Sequence, residues 1–423
     1  MKGGTLLSYN LKRKVGYHGM WKSCICELDS SSLVFYNRGS LKQEIVFPIT
    51  NKTIVQAISS EKSPRIMLQS ENGAIFLAAE SMTSIVFWTQ LIKATVSQNH
   101  TLSMNDFNII SVLGRGYYGK VMLVEHKSTT SIYALKTVHK SRMINEKKVD
   151  NVIAERNILL IVDHPFIVSL KFAFQTESKL YLGLEYVPGG ELFHLVQNNI
   201  RIPQLQIRFY IAEVAVAIQY LHSLKVLYRD LKLENVLICE DGHIKLTDFG
   251  LSKWLGSTPD YTTRTFCGTN EYLAPEVIMG ANYGFEIDWW ALGIFTFEFA
   301  FGKTPFHDAN EKKIYQNILK KDPKFPKSAR EDLIGFVSIL LEKDPKKRAN
   351  FDDIKRHVYM KGINWNGVIS KDSKPPYMPY ILSGRRATNF SSSYRNEPKK
   401  DSDAAKAEDV GFDGFSYFGD FTI

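Results

Sequence analysis

Two short runs gather the side chains that could do chemistry. "LYRDLKLENVL" supplies Asp230, Lys232 and Asn235, and "IKLTDFGLS" follows with Asp248, Phe249 and Gly250. Phosphoryl transfer asks little covalent help of a protein. It needs an in-line hydroxyl, metal ions that neutralise phosphate oxygens, and a carboxylate near the attacking proton. In those roles Asp230 accepts the proton or orients the hydroxyl, Lys232 contacts the γ-phosphate, and Asn235 with Asp248 holds Mg2+ through hard oxygen ligands.

A third run, "LGRGYYGKV" from Leu113 to Val121, places glycines at Gly114, Gly116 and Gly119. G-x-G-x-x-G occurs in dinucleotide-binding folds, in flaps over nucleotide phosphates, and by chance. A dinucleotide site opens a helix at the last glycine and carries an acid about 20 positions on. Here "KVMLVEH" continues as an alternating strand, and the next strand, "SIYALKTV", delivers Lys136 instead. Two strands joined by a glycine hairpin form a flap whose backbone N–H groups can approach a phosphate chain because no Cβ intervenes. In "VDNVIAERNILLIV" the apolar positions Val149, Val152, Ile153, Ile158 and Leu159 fit a helix. That helix carries Glu155, an ion-pair partner able to hold Lys136 against phosphate oxygens.

In chain order, "GRGYYGKV", "YALK", "AERNIL", "YRDLKLEN", "DFGLSK", "FCGTNEYLAPE", "DWWALG" and "DPKKRA" resemble the motif set of eukaryotic protein kinases, specifically the AGC group. The resemblance covers residues 107–360 and implies a bilobal α+β kinase fold, with a β-rich N-lobe and a helical C-lobe, that uses ATP and Mg2+. It implies that Leu113, Gly114, Gly116, Gly119 and Val121 cover the nucleotide, with Lys136 and Glu155 at its phosphates. Val121, Ala134 and Leu237 would sandwich the adenine, and the backbone at Glu185 and Val187 would bind it beside a gatekeeper, Leu184. Glu276 should pair with Arg348, and Asp288 should brace the catalytic loop. Glu191, Glu234 and Glu298 match the acids with which basophilic relatives bind arginines before the target residue, an R-x-R-x-x-S/T-like preference. Carboxylate and guanidinium pair bidentately, which favours Arg over Lys.

Length and composition bound the scaffold that positions these residues. The chain has 423 residues, 44% hydrophobic and 23% charged, which suits a globular protein of two or three domains. No window reaches the roughly 20 apolar residues of a membrane span, and the N-terminal stretch lacks a signal-peptide core, so a cytoplasmic protein is expected. Cys24, Cys26, Cys239 and Cys267 are too few for a disulfide framework and lack zinc spacing, so they read as reduced thiols. The net charge of +9 comes without a dense basic run interleaved with aromatics, so no nucleic acid partner is expected.

Residues 1–98 read as short strands, followed by a helix in which Ile85, Trp88, Leu91 and Ile92 recur at 3/4 spacing with Ser81 and Thr83 as cap candidates. Residues 99–106 read as a linker, residues 107–360 as a strand-rich then a helical lobe, and residues 361–423 as an extended tail with an aromatic end. The first segment resembles a pleckstrin homology domain, a β-barrel capped by a C-terminal helix bearing Trp88. Its strand "KGGTLL" leads into the basic loop "NLKRKVGYHGMWK". Phosphoinositide-binding members carry an arginine where Cys24 stands; Lys12, Arg13, Lys14, Lys22 and Arg38 would still attract anionic lipid at about 1 kcal/mol each.

Two further matches are regulatory. Thr265 in "DYTTRTFCGT" matches the activating phosphorylation site, where a phosphate would pair with Arg229 and Lys253. "FDGFSY" matches a hydrophobic motif in which Phe412 and Phe415 fill a pocket beside the Glu155 helix and Ser416 is phosphorylated, while "ATNF" would bring Phe390 toward the adenine. The order of parts resembles the protein kinase B (Akt/RAC) family. The implied protein is a monomeric Ser/Thr kinase of basic-motif protein substrates, switched on by upstream kinases and recruited to a phosphoinositide plasma membrane. Two other readings stand beside it: an AGC kinase of another branch whose N-terminal domain docks protein, and a catalytically inactive scaffold.

Overall fold

The computed structural model describes residues 7–15, 20–28, 32–37, 40, 42–50, 52–58, 64–71, 73–78, 82–96, 102–198, 202–256, 258–382, 387–402, 412 and 414–418. The chain divides into two compact units, one from residues 1–161, 169–186 and 391–423, the other from residues 162–168 and 187–390.

The first unit opens with β1 (Leu7–Val15), β2 (Lys22–Leu28), β3 (Ser32–Asn37), β4 (Gln43–Pro48), β5 (Ile54–Ile58), β6 (Arg65–Ser70) and β7 (Gly73–Ala78), paired in the order β4-β3-β2-β1-β7-β6-β5. The expected barrel is thus a seven-stranded sheet whose end strands, β4 and β5, are not paired to each other among the described residues. Alternation sets its faces: Cys24, Cys26 and Leu28 point inward from β2. Helix α1 (Met82–Val96) lies against β5 and β6, and Ile85, Trp88, Leu91 and Ile92 are buried as their spacing predicts. The cap candidates Ser81 and Thr83 lie outside the described side chains.

The basic loop is a correction. β1 runs through it to Val15, and Arg13 is buried in an ion pair with Glu44 of β4 rather than offered to lipid. The pair is what lets a charged residue take an inward strand position. Lys14 is half-buried with its Nζ 5.8 Å from the Phe76 ring, and Lys22 is exposed. The side chain of Lys12 and all of Arg38 lie outside the described residues. All four cysteines are free thiols, and burial pushes Cys24 up to about 11.

The same unit holds a second sheet: β8 (Phe107–Arg115), β9 (Lys120–His126), β10 (Ile132–His139), β11 (Leu170–Gln175) and β12 (Lys179–Glu185), with helices α2 (Lys140–Asn145) and α3 (Val149–Ile161). Phe107, Met122, Val124, Leu135, Phe172, Phe174 and Tyr181 form its core, joined by Phe418 from the C-terminal tail. The tail departs from its extended expectation, since it forms helix α12 (Ser392–Arg395) and a final strand, here β17 (Tyr417–Phe418), that adds to the edge of β11.

The second unit is helical: α4 (Leu192–Asn198), α5 (Gln204–Ser223), α6 (Pro275–Ile278), α7 (Glu286–Phe301), α8 (Glu311–Lys320), α9 (Glu331–Leu340), α10 (Phe351–Arg356) and α11 (Trp365–Ile369). Two short ribbons interrupt it, β13 (Val226–Leu227) with β16 (Lys253–Trp254), and β14 (Val236–Ile238) with β15 (Ile244–Leu246). α7 is apolar almost all round and is buried accordingly. Among the described residues no helix is long and apolar enough to cross a membrane.

The expected pair of Glu276 and Arg348 is buried and bidentate, at 2.6 and 2.9 Å, with the guanidinium 5.2 Å from the Trp290 ring. Removing one partner strands a charge in the interior. Arg348→Leu is therefore expected to lose ~3–5 kcal/mol of unfolding free energy, measured by denaturant titration of the full chain.

Candidate active site

In the first unit the glycine run turns β8 into β9. Gly116 N–H donates to the Gly119 carbonyl at 2.9 Å, closing the hairpin. Only Gly119 is sterically compelled there: a Cβ would lie 1.8 Å from the Thr137 carbonyl oxygen, whereas one at Gly114 or Gly116 would meet nothing within 4 Å. The open side of the flap is the side free to cover a ligand.

Strand register assembles the rest of this half. Val121 pairs with Lys136, and Ala134 with Leu184, so the expected nucleotide contacts lie on adjacent strands, with Glu185 opposite Tyr133. Leu113 and Leu184 are buried. Lys136 Nζ meets Glu155 Oε1 at 2.6 Å, joining β10 to α3 as the sequence implied. The Glu185 carboxylate accepts from the Ser169 hydroxyl at 3.1 Å.

In the second unit, the β14–β15 ribbon brings Asn235, just before β14, and Asp248, just after β15, to one end. Thr247 N–H donates to the Asn235 carbonyl at 3.0 Å and tightens that end. Asp230 is buried, and its oxygens are occupied on both sides. Lys232 Nζ lies 3.0 Å and Asn235 Nδ2 2.8 Å from Oδ2, and the Thr269 hydroxyl donates to Oδ1 at 2.8 Å. Because the Asn235 amide nitrogen is committed to Asp230, its oxygen is the end left to ligate a hard cation, together with the Asp248 carboxylate. The donor set therefore fits Mg2+. Phe249 is buried edge-on to Tyr228, with ring centroids 5.3 Å apart.

Arg229 and Asp248 both take positive φ, 71° and 56°, a backbone cost tolerated only where surroundings impose it. At Arg229 the imposing group is Asp288, 0% exposed, which accepts from Tyr228 N–H at 3.0 Å, Arg229 N–H at 2.9 Å and His222 Nε2 at 2.8 Å.

Glu191, Glu234 and Glu298 also belong to the second unit, as do Val187, which is buried, and Leu237, which bridges to Glu191. Burial pushes the Glu298 carboxyl up; Tyr272, whose hydroxyl donates to it, opposes that shift, and Glu234 and Glu271 add to it. Glu191 is likewise raised by burial, against His194, with Glu234 adding. Glu191 and Glu298 thus each sense Glu234.

The exposed Thr265 has its hydroxyl 3.5 Å from that of Thr263, which accepts from Lys253 Nζ at 2.8 Å. The Thr265 carbonyl accepts from Tyr283, whose hydroxyl lies 3.4 Å from Arg229 Nη1. Arg229 and Lys253 thus reach the segment through neighbours. In the first unit Phe412 and Phe415 are both buried: Gln175 donates to the Phe412 carbonyl at 2.9 Å, and Arg156 donates to the Gly414 carbonyl at 2.8 Å with its guanidinium 5.8 Å from the Phe415 ring. Ser416 is half-buried beside them. Phe390, also half-buried, follows Asn389, whose amide donates to the Pro188 carbonyl at 3.1 Å.

Sequence reasoning missed Thr269, His222, Tyr272 and Arg156. Thr269 and Tyr272 stand inside the quoted "FCGTNEYLAPE", so their motif was visible though their contacts were not.

Comparison with known proteins agrees with this geometry. The family described as "Protein kinase domain" matches residues 107–360. The chain is 41% identical over 330 residues to "Serine/threonine-protein kinase YPK1" of Saccharomyces cerevisiae, covering 76% of this chain and 48% of that protein. It is 42% identical over 309 residues to "Serine/threonine-protein kinase gad8" of Schizosaccharomyces pombe, covering 72% and 54%. To the "RAC family serine/threonine-protein kinase homolog" of Dictyostelium discoideum it is 32% identical over 427 residues, covering 96% of each. The chain spans about half the length of the two yeast relatives.

The Gly119 contact sets a test of the flap. Gly119→Ala must move β10 or the hairpin at ~1–3 kcal/mol, so nucleotide affinity measured by titration calorimetry with a non-hydrolysable ATP analogue is expected to fall about tenfold or more.

Proposed function

Because this chain belongs to the protein kinase family, in its AGC-type serine/threonine branch, we propose that it transfers the γ-phosphate of ATP to serine or threonine in proteins whose target residue is preceded by arginines. The observation that carries this reading is the Asp230 carboxylate, oriented by Lys232 and Asn235 on Oδ2 and by Thr269 on Oδ1, which leaves acceptor capacity on Oδ1 for a hydroxyl proton. Bound Mg2+ would neutralise phosphate oxygens there. Asp230 takes the proton of the attacking hydroxyl or orients it, and its three partners leave it one orientation. Lys232 offers its ammonium to the transferring phosphate. Within the first unit Lys136, fixed by Glu155, is a cation suited to nucleotide phosphates.

Glu191, Glu234 and Glu298 supply the arginine preference. Three carboxylates near one another, with the raised Glu191 and Glu298, form a negative site that a guanidinium relieves. Phosphorylation at Thr265 would add charge where Arg229 and Lys253 stand nearest, and phosphorylation at Ser416 would act on a tail already seated against α3. These features favour the protein kinase B (Akt/RAC) branch, with upstream kinases as activators and a monomeric, cytoplasmic resting form. An inactive scaffold is disfavoured by the intact Lys136, Glu155, Asp230, Asn235 and Asp248.

The N-terminal sheet and α1 we read as a pleckstrin homology domain that brings the protein to an anionic plasma membrane. Cys24 is buried where an inositide-binding arginine would stand, and Arg13 is committed to Glu44, so Lys14 and Lys22 remain as described cations. That set supports charge-driven lipid attraction over recognition of one phosphoinositide. The other reading, a protein-docking domain of a different AGC branch, rests on the same two losses.

The kinase reading is tested by radiolabelled transfer from ATP to an R-x-R-x-x-S peptide and its Arg→Ala variants, using protein phosphorylated at Thr265. Transfer should need Mg2+, vanish in Asp248→Ala and weaken without the arginines; transfer undiminished in Asp248→Ala would overturn it. The raised carboxyls add a sign. Arginine preference depends on ionised Glu191 and Glu298, whose raised carboxyls protonate first, so it should fade as pH falls at a higher pH than ordinary carboxylates would allow; Glu298→Gln should show the weaker preference at every pH. For the membrane, sedimentation with phosphatidylserine vesicles should show binding at low salt that is lost at about 0.5 M, with little gain from added phosphoinositide. No binding at low salt would favour the protein-docking reading.

A further inference from the structure

Between the second and third glycines of the run stand two residues to which the kinase motif assigns no role, Tyr117 and Tyr118, at the tip of the flap joining β8 to β9. Tyr117 is 68% exposed, yet its hydroxyl donates to Glu146 Oε1 at 3.1 Å, just past α2. Arg142 of α2 donates to the Tyr117 carbonyl. The Lys148 ammonium, on the residue that precedes α3, lies 5.4 Å from the centre of the Tyr118 ring, and the two tyrosine rings meet edge to face at 5.0 Å. The Tyr118 carbonyl accepts from His139 N–H at 2.9 Å, where β10 runs into α2.

Two of these contacts need the tyrosine side chains. The hydrogen bond to Glu146 pushes the Tyr117 hydroxyl up, and a side-chain hydrogen bond with Tyr118 raises Lys148. An ammonium over a ring face is also drawn to the ring quadrupole. The segment they grip is itself ordered: Glu146 N–H donates to the Arg142 carbonyl at 3.1 Å, and Lys148 N–H donates to the carbonyl of the buried Met143 at 2.9 Å. The Lys148 carbonyl in turn accepts from Asn151 N–H at 3.1 Å, in the first turn of α3. What the flap holds is therefore continuous with the helix whose Glu155 meets Lys136 at 2.6 Å.

We propose that Tyr117 and Tyr118 are positioning residues that fasten the flap to α2 and to the start of α3, so that the flap and the Glu155 helix receive a nucleotide as one body. The proposal rests on the nucleotide reading of the site and adds the residues that set the pose of its cover. A hairpin tip closed by the Gly116 to Gly119 hydrogen bond, with open space around Gly114 and Gly116, is cheap to open by itself. Side-chain grips at that tip order it beforehand and so reduce the ordering cost that falls on binding. Lys136 and Glu155 are untouched by either tyrosine, so the effect belongs to nucleotide affinity and not to peptide recognition.

The test is hydrogen–deuterium exchange on the full chain without nucleotide, read at residues 113–121. Tyr117→Phe combined with Tyr118→Leu should exchange about tenfold faster there than wild type while α7 is unchanged; equal exchange overturns the proposal. A non-hydrolysable ATP analogue should then slow exchange at residues 140–151 in wild type and not in the variant, and slowing that persists in the variant refutes the link to α2 and α3. In peptide transfer the variant should show a KM for ATP raised about tenfold with the KM for peptide unmoved; an unmoved KM for ATP refutes the positioning role. Tyr117→Phe and Glu146→Ala should each raise the KM for ATP about threefold and together no further, because they break the same bond; effects that multiply refute that contact. If Tyr118→Leu does not fold, Lys148→Met removes the cation from the same ring and takes its place. A wild type that neither transfers phosphate nor binds the analogue counts against the kinase reading, and the nucleotide-free exchange at 113–121 still decides the grip.

Discussion

The catalytic half of the molecule hangs on one carboxylate with no exposed surface. Asp288 cannot be solvated by water, so protein groups must solvate it, and the groups supplied are the backbone N–H of Tyr228, that of Arg229 and the His222 imidazole. Two consecutive N–H groups can converge on one carboxylate only if the chain bends sharply between them. Arg229 accordingly sits at positive φ. That bend is what aims Asp230, Lys232 and Asn235 together within five residues. The buried ion thus converts desolvation into a fixed catalytic geometry, and the strain at Arg229 persists because releasing it would leave Asp288 without partners.

A comparable economy runs through α3. Adjacent residues on a helix point about 100° apart, and here Glu155 turns to Lys136 while Arg156 turns to Gly414 and the Phe415 ring. One short helix therefore holds the tail on one face and fixes Lys136 on another. The strand at Tyr417–Phe418 adds main-chain hydrogen bonds to β11 and sends Phe418 into the same core as Phe107 and Phe172. Tail and sheet share one core through Phe418, and Arg156 ties α3 to the same tail, so displacing the tail would open that core and release the hold on α3 together.

The residues that were legible in the sequence are those whose chemistry dictates their type. A magnesium ligand must be a hard oxygen, so Asn235 and Asp248 announce themselves as candidates; Gly119 was legible as part of a flap, though what compels it is the Thr137 carbonyl of the neighbouring strand. Helix α1 was legible from periodicity alone, through Trp88 and its neighbours. What stayed hidden depends on contacts distant in the chain. Asp401 and Lys179 look like ordinary surface charges until folding buries one against the other. Arg13 read as a lipid-facing cation because a basic run looks like a loop; only its pairing with Glu44, on a strand three positions away in the sheet, turns it inward. Thr269 and Tyr272 were inside a visible motif, yet a motif gives residue types and not the carboxylates they would orient.

The acids of the second unit complete the electrostatic logic. Burying Glu191 and Glu298 near Glu234 raises the cost of ionisation, and among the described residues the group that relieves Glu298 is the Tyr272 hydroxyl. A protein that sought stability alone would have paired these groups with its own arginines, as it did for Glu276 with Arg348. The contrast between the two carboxylate environments is informative. The Glu276–Arg348 pair is closed and structural, whereas Glu191, Glu234 and Glu298 are half-buried and hold negative charge at a desolvation cost, which is the physical basis of the proposed preference for a basic peptide.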